Sequence, residues 1–293
     1  MGGLRLGTRA SALAVAQAEL VSAALGGAEI VRVRTEDGAV GDKARFVRGV
    51  ERALLDGEVD LGVHSAKDLP GELPEGLVIA AVPGREDPAD AFVGAGTSLA
   101  ELAEGARIGT SSLRRRAQLL ALRPDLEVVE LRGNVDTRLA KLADGGLDGI
   151  VLATAGLRRL GREREIAFAF SVGDMTPAPG QGTLALEARR DDRESADAAG
   201  RIADAAALAE LTAERAATVA LGATCHTPIG INARVSAEGI ELEGFAGLPD
   251  GSEWVRDSLA GGLDDPAGLG QALAERMLAA GAVELLERAE ATA

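Results

Sequence analysis

Cysteine occurs once in this chain, at Cys225. Tyrosine is absent, tryptophan occurs once and histidine twice. A lone cysteine forms no internal disulfide and no structural zinc site by itself, and one cysteine with two histidines is too small a set for a dedicated nitrogen–sulfur metal centre. Aromatic residues make up 2% of the chain, so the stacking platforms that hold single-stranded nucleic acid are nearly missing. Cations are also short: 31 Lys and Arg against 46 Asp and Glu leave a formal charge of -15. That balance argues against a general binder of nucleic acid or anionic membrane. No uninterrupted run of about 18 apolar residues is present, so no membrane-spanning helix is expected. The opening Met1-Gly2-Gly3-Leu4-Arg5-Leu6-Gly7 lacks a signal-peptide core, and Leu6 stands where a myristoylation signal carries Ser or Thr. These features lead us to expect a soluble cytoplasmic protein.

What is present is ordinary for a globular protein: 46% apolar and 26% charged residues over 293 positions. A chain of this length accommodates two or three domains and buries roughly 75% of its unfolded surface without a disulfide or metal staple. Short apolar runs alternate with amphipathic stretches in the first two thirds. Strands are expected at Leu4–Leu6, Ile30–Val33, Leu61–His64 and Leu77–Val82. Helices are expected at Ala12–Leu25, capped by Ser11 with Leu13, Gln17, Leu20 and Ala24 on one face, and at Phe46–Leu55. Gly84-Arg85-Glu86-Asp87-Pro88 reads as a hinge. The pattern then restarts with a helix at Leu113–Leu122, a strand at Leu126–Leu131, a helix at Val135–Ala143 and a strand at Gly149–Ala153. Leu6-Gly7-Thr8 matches Ile108-Gly109-Thr110, and Val59-Asp60-Leu61-Gly62-Val63 matches Leu147-Asp148-Gly149-Ile150-Val151. We read a weak internal duplication of an α/β lobe, with a ligand cleft between the copies.

Thr176 to Thr183 reads as the return crossing, followed by a strand at Leu184–Ala188. From about Ala203 an alanine-rich helix runs to about Leu221. Three strands follow, at Ile229–Val235, Ile240–Phe245 and Trp254–Leu259, separated by the turn residues Glu238-Gly239 and Asp250-Gly251. A helix from about Pro266 to Ala279 closes the unit, with Leu269, Leu273 and Met277 as its apolar stripe. The expected division is therefore 1–86 with 183–202 as a first lobe, 87–182 as a second lobe, and 203–293 as a C-terminal α+β domain.

The scarce cations are not scattered. Arg114, Arg115 and Arg116 follow Gly109-Thr110-Ser111-Ser112 at a helix start, where positive charge opposes the helix dipole at a cost of roughly 0.3–1 kcal/mol each. Backbone N–H groups and hydroxyls at such a start bind anions. Arg9, Arg132, Arg138, Arg158 and Arg159 stand near other strand ends or helix starts. Solvated helix faces account for Arg116 and Arg158; the set as a whole points to an anionic, carboxylate-bearing ligand. His64-Ser65-Ala66-Lys67-Asp68-Leu69-Pro70 places a carboxylate beside a lysine at a strand end, which suits general acid–base work or a counter-charge to a developing cation, and also suits a plain surface ion pair. His64 reads as a hydrogen-bonded structural residue. Cys225 and His226 are adjacent and point to opposite sides of an extended chain, which disfavours a Cys–His dyad. Small neighbours, with Pro228 and Gly230 beyond, describe a turn around Cys225 better than a core position. Taken alone, the cysteine is either a small buried hydrophobe or a single nucleophile or attachment point.

Seven motifs together resemble one family. They are Gly7-Thr8-Arg9-Ala10-Ser11; Val63-His64-Ser65-Ala66-Lys67-Asp68; Gly109-Thr110-Ser111-Ser112-Leu113-Arg114-Arg115; Leu131-Arg132-Gly133-Asn134-Val135; Ala155-Gly156-Leu157-Arg158-Arg159-Leu160-Gly161; Gly180-Gln181-Gly182; and Cys225-His226-Thr227-Pro228-Ile229-Gly230. In this order they resemble the hydroxymethylbilane synthase (porphobilinogen deaminase) family over nearly the whole chain. The resemblance implies two lobes arranged like a type II periplasmic binding protein, with the site in their cleft, plus a C-terminal domain with a three-stranded antiparallel sheet. It implies a dipyrromethane cofactor on Cys225 by a thioether bond. Four porphobilinogen units join it head to tail with loss of ammonia, and hydrolysis frees hydroxymethylbilane. By resemblance Asp68 is catalytic, and Lys67, Asp68, Thr110, Ser112, Arg114 and Arg115 bind the cofactor. Arg9, Ser11, Arg132, Arg138, Arg159 and Gln181 serve the incoming ring and the growing chain. A monomer without nucleic-acid or membrane partners is implied.

One segment departs from the family pattern: Thr35-Glu36-Asp37-Gly38-Ala39-Val40-Gly41-Asp42-Lys43-Ala44-Arg45-Phe46 is short and acidic where the family carries a longer loop with arginine. Other readings stay open on the residues alone. A catalytically impaired or non-catalytic homologue that binds an anionic small molecule in the cleft is one; a two-lobed solute binder explains the arginines but not Cys225 or Asp68, and a thiol hydrolase lacks a convincing base.

Overall fold

A computed structural model describes residues 3–34, 45–223 and 227–291, with backbone alone for Arg45 and Phe46. Residues 35–44 of the short acidic segment and the Thr224-Cys225-His226 run lie outside the described residues.

The chain begins β1 (Arg5–Arg9), α1 (Ala12–Ala24), β2 (Glu29–Val33), α2 (Arg45–Leu55), β3 (Leu61–Ser65) and β4 (Leu77–Ala81). It crosses to β5 (Asp90–Gly94), β6 (Arg107–Gly109), α3 (Leu113–Leu122), β7 (Glu127–Val129), α4 (Val135–Ala143), β8 (Gly149–Ala153), α5 (Thr154–Arg159) and β9 (Phe168–Ala169). It returns through β10 (Leu184–Arg189) to α6 (Arg193–Gly200) and α7 (Ala205–Ala220). It ends in β11 (Ile229–Ser236), β12 (Gly239–Gly247), β13 (Trp254–Gly261), α8 (Pro266–Ala279) and α9 (Ala282–Ala291).

Two five-stranded sheets have the same order, β2-β1-β3-β10-β4 and β7-β6-β8-β5-β9. In each, three strands run parallel and the fourth is antiparallel: β10 enters the first sheet after the return crossing, and β5 enters the second after the outward one. The duplicated sequences occupy equivalent places, with Leu6 opposite Leu61 in one sheet and Ile108 opposite Gly149 in the other. This twofold α/β arrangement, with each sheet receiving a strand from across the hinge, is that of periplasmic-binding-protein-like folds. The inner strands are covered on both faces and so read as near-continuous apolar runs, as Gly149-Ile150-Val151-Leu152 does.

The third unit is the antiparallel sheet β11-β12-β13 packed against α7 and α8. Ala213 and Ala217 of α7 meet Ile231, Leu242, Leu273 and Met277, all at 2% exposure or less. Burying side chains the size of Leu273 or Met277 contributes roughly 1.5–3 kcal/mol each. The small alanines bring α7 close to the sheet, which positions the segment leading to residue 224.

Several elements differ from the sequence expectation. In α1 the buried residues are Ala14, Gln17, Ala18 and Val21, while Leu20 is 53% exposed. An alanine-rich helix shows too little contrast between faces for the larger leucines to mark the inner one. The expected strand at Leu126–Leu131 shortens to Glu127–Val129, although Leu131 remains in the core. β5, α5, β9, α6 and α9 were not expected. They are short or polar, as in the two-residue β9 and the six-residue α5, and are held by tertiary pairing rather than local pattern.

Candidate active site

The chain leaves β3 through Ser65 into a single 3-10 turn, Ala66–Asp68. The return crossing packs directly on this turn. Gly180 has φ +72°, and a Cβ there would sit 2.8 Å from the Lys67 backbone nitrogen; a Cβ on Gly182, at φ +85°, would sit 2.1 Å from Glu86 O. Only glycine allows both the left-handed backbone and these approaches, which accounts for Gly180-Gln181-Gly182. The backbone N–H of Ala66 donates to Thr183 O at 3.0 Å and that of Glu86 to Gly182 O at 3.1 Å, so both crossings meet at this turn. Lys67 Nζ donates to Gln181 Oε1 at 3.2 Å, and Gln181 Nε2 donates to Pro88 O at 2.7 Å and Asp90 Oδ1 at 2.9 Å.

Asp90 opens β5 and is wholly buried. Arg115 gives it two hydrogen bonds, Nε at 3.0 Å and Nη2 at 2.7 Å, and sends Nη1 to Val151 O. Arg114 Nη1 lies 2.7 Å from Asp90 Oδ2 and donates to Thr176 O. Burial alone would raise the Asp90 pKa, but the two arginines outweigh it and hold the carboxylate well below its usual range. The expected cofactor arginines are thus also buried structure, built around an aspartate that sequence reasoning missed.

A cleft pocket of about 100 Å³ gathers Lys67, Arg115, Arg138 and Arg159 on one wall set, with Gln17 and Ser65 beside them. Gln17 Nε2 donates to Ser65 Oγ at 2.8 Å, a second pair the sequence reading did not assign to the site. Arg138 Nη2 donates to Ser111 Oγ at 3.0 Å, while its buried Nε has no hydrogen-bond partner among the described residues. Burial and the nearby Arg115 lower its pKa to about 10. Arg159 Nη2 donates to Gly182 O at 2.6 Å, and burial lowers its pKa also. Burial, helped by Arg115, lowers Lys67 to about 7 against the opposing pull of Asp68 and Asp90. Desolvated cations crowded together gain from an anion, and guanidinium groups suit carboxylates.

Other expected site residues are placed differently. Thr110 Oγ1 accepts from the Ser112 N–H at 3.2 Å, and Ser112 and Ser11 cap α3 and α1. Arg9 ends β1, partly buried. Asp68 is partly exposed, stands one residue beyond the pocket-lining Lys67, and makes no hydrogen bond or ion pair among the described residues. Arg132 is turned to solvent on Glu130, 2.6 Å away, and does not line the pocket. His64 is buried with Nε2 3.1 Å from Glu187 Oε2.

Both segments flanking residues 224–226 are tied to the return crossing. Glu214 of α7, fully buried, accepts from Gly180 N at 2.6 Å and Arg85 Nη1 at 2.7 Å, while Arg85 Nε donates to Gln181 O at 3.0 Å. In β11, Ile231 N donates to Pro177 O at 2.9 Å.

The Lys67 shift gives a pH test. Between about pH 7 and its ordinary 10.5 the unfolded lysine holds a proton that the folded one has lost, so stability rises with pH across that window. In cofactor-free protein, urea midpoints measured at about pH 7.5 and about pH 9.5 should rise more for wild type than for Lys67→Met. Equal rises would show that Lys67 titrates normally.

Two family models match the chain: "Porphobilinogen deaminase, dipyromethane cofactor binding domain" over residues 4–197, and "Porphobilinogen deaminase, C-terminal domain" over 208–279. A curated porphobilinogen deaminase of Roseiflexus castenholzii is 46% identical, with 97% of this chain and 98% of that protein covered. One of Acidothermus cellulolyticus is 47% identical, with 99% and 92% covered. Among solved structures, an arginine-specific periplasmic binding protein of Salmonella typhimurium covers 68% of this chain and 91% of its own, with a TM-score of 0.39 and 16% identity; the fold assignment rests on the strand order above. Matched across both domain models and over nearly its full length, the chain belongs to the porphobilinogen deaminase family, transferases of tetrapyrrole biosynthesis that work on a dipyrromethane cofactor.

Proposed function

We propose that the cleft pocket is where this chain holds the acidic side chains of the dipyrromethane and of porphobilinogen. The observation that carries this is the convergence of Lys67, Arg115, Arg138 and Arg159 on one small cavity beside Asp68. The residues fit the group: a pyrrole bearing an acetate and a propionate supplies the anions that the unpartnered Nε of Arg138 and the desolvated Lys67 lack. Cys225 is the proposed attachment point. When bound, the dipyrromethane supplies the pyrrole carbon to which four porphobilinogen units are joined before hydroxymethylbilane is released by hydrolysis.

In this reading Lys67, Arg115 and Arg138 hold carboxylates, with Thr110, Ser112 and Arg114 shaping the anion-binding start of α3. Arg9, Ser11, Arg159 and Gln181 serve the incoming ring. Asp68, free of a fixed partner among the described residues, faces the positive charge that develops as ammonia leaves, and accepts a proton from a pyrrole nitrogen. Gln17 with Ser65 orients the turn that carries Lys67 and Asp68. The proposed bodies are 1–86 with 183–202, 87–182, and 203–293, in a cytoplasmic monomer. No helix among the described residues is long and apolar enough to cross a membrane.

The geometry ranks two arginines that the sequence treated alike. Arg138→Gln should lower kcat/KM for porphobilinogen by roughly 10–150-fold, the range for a lost charged hydrogen bond. Arg132→Gln should lower it far less. Steady-state assays of both variants test this, and a larger loss at Arg132 would contradict the assignment.

A further inference from the structure

We infer that a groove between α7 and α8, away from the cleft, is a second binding site, for a small monocarboxylate with an apolar body. The cavity measures about 600 Å³ and shares no lining residue with the cleft pocket. Its volume is within the roughly 300–1,000 Å³ of small-molecule sites. Ile79 of β4 and Leu208, Leu211 and Val219 of α7 supply its apolar wall. Leu208 and Val219 are 45% and 49% exposed, so covering them with an apolar chain is favourable.

One cation, Arg215, stands on this wall. Its Nη2 donates to Gly71 O at 2.7 Å, the single hydrogen bond its guanidinium makes among the described residues. Burial lowers its pKa, against the opposing pull of Glu187. A half-buried guanidinium with spare N–H groups is well matched to a planar carboxylate. The class of ligand is narrowed by Glu275 of α8, which also lines the cavity and repels a second carboxylate. That acid sets this site apart from the cleft pocket, whose charged lining among the described residues is cationic and where dicarboxylate pyrroles are proposed to bind. The groove spans the first sheet and the C-terminal unit, and Gly71 lies three residues beyond Asp68.

Octanoate titrated calorimetrically into the cofactor-loaded full chain tests the site independently of turnover. Saturable binding is expected, with suberate (a dicarboxylate) and octylammonium each at least about 10-fold weaker, and with Arg215→Gln weakening octanoate at least about 10-fold, as loss of a charged hydrogen bond requires. Ala220→Leu, at an exposed helical position on the wall, should block binding by filling the groove while the protein folds, and so decides the matter if Arg215→Gln does not fold. Arg138→Gln, in the cleft, should leave octanoate binding unchanged. No saturable binding, equal binding of suberate or octylammonium, unaltered binding in both groove variants, or loss in Arg138→Gln would overturn the inference.

Discussion

Asp68→Asn is expected to slow porphobilinogen consumption by about 10²–10⁴-fold, the usual contribution of a positioned acid–base group, with the larger end reached if charge stabilisation is lost too. The expectation follows from where Asp68 sits. It belongs to the one-turn 3-10 segment clamped by Gly180 and by the Ala66–Thr183 hydrogen bond, next to the pocket-lining Lys67. Its carboxylate is partly exposed and has no hydrogen-bond partner among the described residues. Removing its charge should therefore leave stability within about 0.5 kcal/mol. Turnover assays beside urea denaturation of the same variant check both halves. Retention of most turnover would remove Asp68 from the chemistry.

Asp90→Ala should have the largest effect on stability, a loss of about 3–5 kcal/mol, because it strands two buried guanidinium groups without their counter-charge. The carboxylate also accepts from Gln181, so the substitution loosens the crossing that holds Lys67. The sign is set by the depressed pKa: the ionised carboxylate stabilises the fold above the ordinary aspartate range, and the contribution is lost as the pH falls below it. Adding Arg115→Leu to Asp90→Ala should cost less than the two changes summed, since the second removes a charge the first left unpaired. Urea denaturation of the single and double variants measures this. A shift below about 1 kcal/mol for Asp90→Ala would mean that the arginines find other partners.

How much of this was legible in the sequence depends on what each residue needs from its surroundings. Gly180-Gln181-Gly182 reads as part of the return crossing from its glycines, but the reason glycine is required there is long-range: the backbone turns left-handed against Lys67 and Glu86, far away in the chain. The cap at Ser11 and the helix starts at Leu113 and Val135 read well, since capping groups lie within three residues of the N–H groups they satisfy. Arg114 and Arg115 were visible as charges set against a helix dipole, yet the reason they are tolerated was not. It is Asp90, 25 residues away from Arg115, and an acid opening a five-residue strand carries no local signal of the pair it will form. A clue existed in the apolar run Ala91-Phe92-Val93, which makes an adjacent acid a candidate for burial. Arg132 and Arg138 looked equivalent in sequence and are not: one faces solvent on Glu130, the other turns into the cleft with a buried Nε that has no hydrogen-bond partner among the described residues. The direction of a long side chain depends on packing across the cleft, which a linear motif does not encode. The same holds for Gln17, whose partner Ser65 is 48 positions on.

The central claim is that the cleft holds a pyrrole chain anchored permanently at Cys225, and intact-protein mass spectrometry tests it most directly. Wild type should show a mass excess equal to one dipyrromethane, and Cys225→Ser should show none and consume no porphobilinogen. An active wild-type protein of unmodified mass would contradict it.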